Sequence, residues 1–206
     1  MGAPKWKTRL VEGEFPDRSF DIEFWQEQGD EAIFRAAWEM VDLAGEAQRG
    51  CASALQKRLR SLNEHEVKYL IVGGYAVMKY TEPRFTKDLD IWVDSSPENC
   101  ARLFHALAGS GAPLAHDGVT GETFTKPDIV YQIGVAPVRI DILTRITVVE
   151  FADAWRNRVA STFFGVPVFL ISLDDLVANK RAAGRSPDLD DLERLRNKTG
   201  DGETPG

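Results

Sequence analysis

The stretch VGGYAVMKYTEPRFTKDLDIWVD, residues 72–94, decides the fold prediction. It begins with two adjacent glycines, Gly73 and Gly74, directly after an apolar run, and it ends in a second apolar run that contains Asp88 and Asp90. The two apolar runs predict strands, and the segment between them predicts a short helix. A strand, a glycine bend, a helix and an acidic strand therefore follow one another in this order.

The acidic strand raises the question of what its carboxylates do. Because alternate side chains of a strand face opposite sides, Leu89 and Ile91 face the core, whereas Asp88 and Asp90 share the other face, with Cα atoms about 7 Å apart. Asp141 has the same parity in the later segment PVRIDIL, and it joins the pair if the two strands are neighbours. Three such carboxylates repel one another unless a cation neutralises them, and they suit Mg²⁺. The alternative is a solvated acidic face of an amphipathic sheet.

The rest of the chain mixes helices and hairpins. Helices are predicted at 29–47, 52–64, 74–80, from Pro97 to a glycine-rich stop, at 149–157, 173–183 and 187–196, and strands at 67–73, 87–93, 129–134, 137–143, 160–165 and 166–172. This pattern predicts an α+β fold with a small, mostly hairpin-connected mixed sheet flanked by helices. We expect an N-terminal irregular and helical extension (1–50), a main domain (51–196) and a disordered tail (197–206).

The composition favours a soluble cytoplasmic protein. The net charge of −7 argues against broad electrostatic binding to nucleic acid. Two distant cysteines form no disulfide or zinc pattern, and the N-terminus has no apolar signal region. The longest apolar stretches, such as FFGVPVFLI, are too short to span a membrane.

The motifs taken together, GGYA followed by YTEPRFTKDLDIWV and a later apolar-flanked aspartate, resemble the nucleotidyltransferase superfamily with the DNA polymerase β-like fold. They are most similar to the small bacterial nucleotidyltransferases near the AbiEii toxin group. The aminoglycoside and lincosamide nucleotidyltransferases carry a similar GGxA…RxT…DxD arrangement. The resemblance covers about residues 50–196, so the segment FDIEFWQEQGDEAIFRAAWEMV is an appended helical element.

The resemblance implies transfer of a nucleoside monophosphate from an NTP, such as ATP, to a hydroxyl or phosphate, with release of pyrophosphate. It assigns catalysis and the binding of two Mg²⁺ ions to Asp88, Asp90 and Asp141, and nucleotide binding to Gly73, Gly74, Arg84, Thr86 and Lys180.

Five residues near these motifs have expected roles or alternative interpretations. Lys180 lies on an apolar helical stripe and is expected to reach a phosphate; alternatively, it is a helix-end cation whose stem covers the core. Arg84 is alternatively a surface arginine of a loop. Arg185 and Asp188 are expected to form a structural ion pair, and Trp92 is expected to border the nucleobase or to wall the cleft.

Three functions remain open from the sequence. The first is an active transferase that modifies tRNA or a protein, as a toxin–antitoxin enzyme does. The second is an antibiotic nucleotidyltransferase, which needs a small-molecule pocket. The third is a non-catalytic module whose N-terminal helices bind a protein partner or form a dimer.

Overall fold

The computed structural model describes residues 19–43, 51–86, 88–134 and 139–199. Its elements are, in chain order, α1 (Ser19–Gln28), α2 (Asp30–Leu43), α3 (Cys51–Glu64), β1 (Tyr69–Ile71), α4 (Gly73–Tyr80), β2 (Asp88–Val93), α5 (Pro97–Gly109), a short 3₁₀ helix (Gly121–Thr125), β3 (Val130–Ile133), β4 (Arg139–Leu143), α6 (Phe151–Arg156), β5 (Val159–Phe163), β6 (Val166–Leu170), α7 (Leu173–Ala183) and α8 (Ser186–Thr199).

The strands of the described residues form one mixed sheet in the order β3-β4-β2-β1-β6-β5. Strands β2 and β4 are parallel, as are β1 and β6, whereas the other neighbours are antiparallel. Helices precede, interrupt and follow the strands. The predicted α+β class, with a small mixed sheet flanked by helices, is confirmed.

Several predicted boundaries shift by a few residues. The appended helical element divides into α1 and α2 at Gly29, which has a φ of +82°. Helix α8 continues to Thr199, so residues 197–199 belong to it rather than to the predicted tail. The predicted hairpin turn at Val135 and Ala136, and the end of the chain from 200 onward, lie outside the described residues.

Helix α2 packs into the same core as the sheet. The Phe34 ring is buried, with its centroid 5.9 Å from that of Tyr75 in α4 and 5.2 Å from that of Phe163 in β5. Asp30, at the start of α2, pairs with Lys79 of α4 at 2.5 Å. The apolar face of this helix is therefore used within its own chain.

No helix of the described part of the chain is both long enough and apolar enough to cross a bilayer.

Candidate active site

The parallel pairing of β2 and β4 brings the predicted acidic residues to one region of the sheet. Asp90 lies opposite Asp141, and Asp88 lies opposite Arg139. Leu89 is buried at 1% exposure on the other face of β2. Because side chains of one parity share one face, the three carboxylates and the arginine lie on the same side of the sheet. The condition set by the sequence, that the two strands be neighbours, is met.

Two of the three carboxylates are held by Arg139. Its Nε donates to Asp141 Oδ1 at 2.7 Å and its Nη2 donates to Asp141 Oδ2 at 3.0 Å, which is a bidentate pair. The same Nη2 also pairs with Asp88 Oδ2. Gln132 of β3 donates from Nε2 to Asp141 Oδ2 at 3.1 Å. Within the described residues no group of three His, Cys, Asp or Glu side chains is arranged to hold a metal.

Asp90 differs from its neighbours because, among the described residues, no cation contacts its carboxylate directly in the way that Arg139 contacts Asp88 and Asp141. Burial raises the pKa of Asp90 to about 6, and the charges of Asp88 and Asp141 add to the rise. Lys180 and Arg185 act in the opposite direction but do not cancel it. The carboxyl of Asp90 is thus the member of the cluster whose ionised form is least compensated.

The glycine pair makes room for side chains of the site. Gly73 opens α4 with a φ of +63°, and a Cβ at this position would lie 1.9 Å from Asp90 Oδ2. A Cβ on Gly74 would lie 2.8 Å from Thr86 Oγ1 and 3.3 Å from Arg84 Nη2. A left-handed backbone and these close approaches both require glycine.

The N-terminus of α4 has backbone donors that no capping side chain uses. The N-cap residue, Val72, makes no side-chain cap hydrogen bond. The first N–H groups of a helix lack intrahelical partners and attract anions. Beside this terminus, the Thr86 hydroxyl lies 3.5 Å from Asp88 Oδ1 and 3.4 Å from the Asp88 carbonyl oxygen, where it limits the orientation of that carboxylate.

A chain of alternating cations and carboxylates joins α7, α8 and the loop before β2. Lys180 Nζ lies 3.0 Å from Asp188 Oδ1 and 2.7 Å from Asp191 Oδ2. Asp191 also binds Arg84 at 2.9 Å, and Asp188 binds Arg185 at 2.6 Å. These side chains run in the order Arg84, Asp191, Lys180, Asp188, Arg185, and they form what we call the ion chain.

The centre of the ion chain is buried, whereas Arg185 at one end is exposed to solvent. The side chains of Lys180, Asp188 and Asp191 are 6%, 2% and 3% exposed, and that of Arg185 is 75% exposed. Burial alone would raise the pKa of Asp188, but hydrogen bonds from Arg185 and Lys180 outweigh it and lower the pKa. With three cations and two carboxylates, the ion chain carries a surplus positive charge on the side of Asp90.

The chemistry of the cluster fits a divalent ion. Three carboxylates supply hard oxygen donors of the kind that Mg²⁺ prefers. A cation already stands between two of them in the form of Arg139. Burial is the first cause of the raised pKa of Asp90, and the charges of Asp88 and Asp141 add to it, so a further cation near Asp90 would favour its ionised form.

A cavity of about 840 Å³ lies between α7 and α8, away from this cluster, and Val177, Leu189 and Leu192 form part of its wall. The carboxylates do not line it. The candidate site is therefore distinct from this cavity.

The structure brings most of the predicted residues together and leaves Trp92 apart from them. Asp88, Asp90 and Asp141 share one face, with the two glycines, Arg84 and Thr86 beside them, and Lys180 acts on Asp90 through its charge. The predicted ion pair between Arg185 and Asp188 is present. Trp92, in contrast, is 1% exposed and packs its ring 5.0 Å from that of Phe151. It lines a cavity together with Asp94 and Thr144, and the three carboxylates do not line that cavity.

Sequence reasoning missed four residues of the site: Arg139, Gln132, Asp188 as a partner of Lys180, and Asp191. For Arg139 the signal was available, because it has the parity of Asp141 in the motif RID. For Asp191 the signal was indirect: a buried lysine needs an opposite charge nearby, but Lys180 does not show which carboxylate supplies it.

Comparisons with known proteins place the chain in a family. No curated protein matches the sequence. A crystal structure described as ANT(2")-Ia in complex with adenylyl-2"-tobramycin is 16% identical with a TM-score of 0.47, and the alignment covers 71% of this chain and 86% of that chain. An antigenic nucleotidyltransferase-like protein from Paracoccidioides brasiliensis is 14% identical with a TM-score of 0.40, over 74% of this chain and 76% of that chain. Neither likeness assigns an activity at this level of similarity.

The family assignment comes from the sequence profile described as "Nucleotidyltransferase of unknown function (DUF6036)", which matches residues 53–196. The match spans more than half of the 206 residues. The chain therefore belongs to this family of nucleotidyltransferases.

Proposed function

We propose that this nucleotidyltransferase is Mg²⁺-dependent and transfers a nucleoside monophosphate from an NTP to a hydroxyl or phosphate acceptor, releasing pyrophosphate. One observation carries the proposal. Asp88, Asp90 and Asp141 share one face of two registered parallel strands, beside the uncapped N-terminus of α4. Carboxylates that hold a cation and backbone donors that bind an anion are what a metal–triphosphate complex requires.

Asp88, Asp90 and Asp141 are the residues that would hold the two Mg²⁺ ions. When bound, such ions neutralise phosphate charge and stabilise the entering and leaving oxygens of the transfer. Asp141 is proposed to take up the proton of the acceptor group at a carboxylate oxygen. Thr86 orients Asp88 through the contact of its hydroxyl with that carboxylate.

The nucleotide is proposed to lie between α4 and the ion chain. Gly73 and Gly74 let the triphosphate approach the free backbone N–H groups of α4, where the helix dipole favours negative charge. Arg84 and Lys180 supply positive charge from the opposite side, and their carboxylate partners fix their positions. Positioning and charge neutralisation then supply most of the rate.

Nucleotide binding provides the first test. Calorimetry with each of the four NTPs and Mg²⁺ should show binding that is lost in the double variant Asp88→Asn/Asp90→Asn. The matched control is Asp128→Asn, which removes a carboxylate that is 70% exposed and pairs with Arg145 away from the site. Failure of the wild-type protein to bind any metal–NTP complex would instead support a non-catalytic module.

The acceptor is proposed to be a group on tRNA, a protein or a small molecule, and a transfer assay distinguishes these classes. Each NTP labelled at the α-phosphate is incubated with the protein and tRNA, cell lysate or a panel of aminoglycosides and lincosamides. Label in macromolecules indicates the toxin-like function. Label on the antibiotics alone indicates resistance.

A further inference from the structure

Arg139 occupies the position in which a metal-binding carboxylate cluster would be expected to hold its ion. Its side chain is 28% exposed, and it contacts Asp88 and Asp141 with Nη2 while Nε makes a second bond to Asp141. Hydrogen bonding to Asp141, together with the charges around it, raises the pKa of the Arg139 guanidinium above its ordinary value. The arginine is thus a permanent cation bound to two of the three proposed ligands.

An ion and this arginine compete for the same oxygens. Asp141 is only 9% exposed, and its oxygens already accept three hydrogen bonds, two from Arg139 and one from Gln132. An ionised carboxylate has about four acceptor positions, so Asp141 has little capacity left for an ion while these bonds remain. An ion that binds both Asp88 and Asp141 is therefore expected to displace Arg139 from them.

The released guanidinium remains charged and needs a new anionic partner. Arginine presents a planar fork of donors that matches a phosphate as well as a carboxylate. Because part of the Arg139 side chain is exposed, a phosphate of the nucleotide that arrives with the ion can take the place of the two carboxylates.

We propose that Arg139 is a further nucleotide-binding residue, which holds Asp88 and Asp141 in the metal-free protein and transfers to a phosphate of the nucleotide when the ion displaces it. This inference rests on the proposed function. It has a distinctive consequence, because the same side chain opposes binding of the ion alone and favours binding of the ion with nucleotide.

Two affinities measured on Arg139→Gln provide the test. The free Mn²⁺ signal in electron paramagnetic resonance gives the affinity for the ion alone, and calorimetry with Mn²⁺ and the α,β-methylene form of the tightest-binding nucleotide gives the second. We expect the variant to bind Mn²⁺ at least fivefold more tightly and the nucleotide analogue at least fivefold more weakly than the wild type.

The matched control is Arg145→Gln. Arg145 lies two residues after β4, is 61% exposed and pairs with Asp128 at 3.4 Å, so the variant loses the same charge outside the site. It should bind both probes as the wild type does. Equal changes in the two variants would mean that the effect is one of net charge, which would overturn the proposal.

A measurement on the wild type covers the case in which Arg139→Gln does not fold. The Nε–H resonance of Arg139, assigned by its loss in Arg139→Lys, should move on addition of Mg²⁺ as the bond to Asp141 breaks. A resonance that stays in place while Mg²⁺ binds overturns the proposal, as does a variant with opposite or absent changes in affinity. Absence of wild-type Mn²⁺ and nucleotide binding would instead refute the proposed function itself.

Discussion

In the absence of metal, the ionised carboxylate of Asp90 is expected to lower the free energy of unfolding, and the variant Asp90→Asn tests this. The side chain of Asp90 is partly buried. This burial, and after it the charges of Asp88 and Asp141, raise the pKa of Asp90 from 3.8 to about 6. Asparagine has nearly the same shape but no charge. The substitution therefore removes the unfavourable ionised form and leaves the packing against Gly73 in place.

The expected magnitude follows from the pKa shift. Each pKa unit corresponds to about 1.36 kcal/mol, so a rise from 3.8 to about 6 destabilises the ionised native protein by about 3 kcal/mol. Because the folded-state pKa is the higher one, the stability contributed by this carboxyl is fully present below pH 3.8 and is lost as the pH rises through about 6. The stability advantage of Asp90→Asn should grow by about 2 kcal/mol between pH 4.5 and pH 8.

Urea unfolding followed by tryptophan fluorescence, in the presence of EDTA, measures this difference. Asp128→Asn is the control, because it removes a largely exposed carboxylate and shows what part of any trend comes from charge loss alone. Added Mg²⁺ should then reverse the order of stability, since the ion stabilises the wild type by binding to it. A difference that does not change with pH, or that favours the wild type at pH 8 without metal, would refute the reasoning.

Three further predictions concern residues that hold the site or the surrounding core in place. Gly73→Ala should lower the free energy of unfolding by more than about 2 kcal/mol and abolish Mn²⁺ binding. The alanine would have to adopt a positive φ, and its methyl group would clash with the carboxylate of Asp90. A variant that binds Mn²⁺ as tightly as the wild type does would contradict this. Asp191→Asn removes one of two partners of buried Lys180 and should cost about 3 kcal/mol in urea unfolding, whereas exposed Asp190→Asn should change little. Phe34→Ala should cost about 3 to 5 kcal/mol and unfold in a single transition with the sheet; a separate early transition would show that α2 is an independent appendage.

The acidic strands were predictable because their information is local. Leu89 and Ile91 alternate with Asp88 and Asp90, and this alternation alone determines which side chains share a face. The pairing partner of β2 is not local information. That β4 lies parallel to it, with Asp141 opposite Asp90, depends on how the intervening 40-odd residues return the chain.

The role of Arg139 shows the same division between local and tertiary information. Its parity with Asp141 is visible in the sequence and predicts their contact along the strand. Its contact with Asp88 exists only because the parallel register places Arg139 opposite that residue. The sequence therefore predicts an arginine near one carboxylate, whereas only the fold makes it a bridge between two.

Lys180 was predictable as an inward-facing cation but not in its partners. Its position on an apolar stripe of α7 indicates burial. Asp188 and Asp191 reach it because Gly184, with a φ of +61°, ends α7 and lets α8 fold back against it. The crossing of two helices depends on their packing and cannot be read from either helix alone.

The distribution of charge explains why Asp90 has no direct cationic partner within the part of the metal-free chain that the structure describes, although the neighbouring carboxylates do. Arg139 neutralises Asp88 and Asp141, and the ion chain satisfies its own two carboxylates internally. Asp90 is left between these two systems, and burial together with the charges of Asp88 and Asp141 raises its pKa. The uncapped end of α4 adjoins the same position through Gly73. We therefore expect a divalent ion bound together with a phosphate to stabilise this site more than a monovalent cation or a free phosphate does.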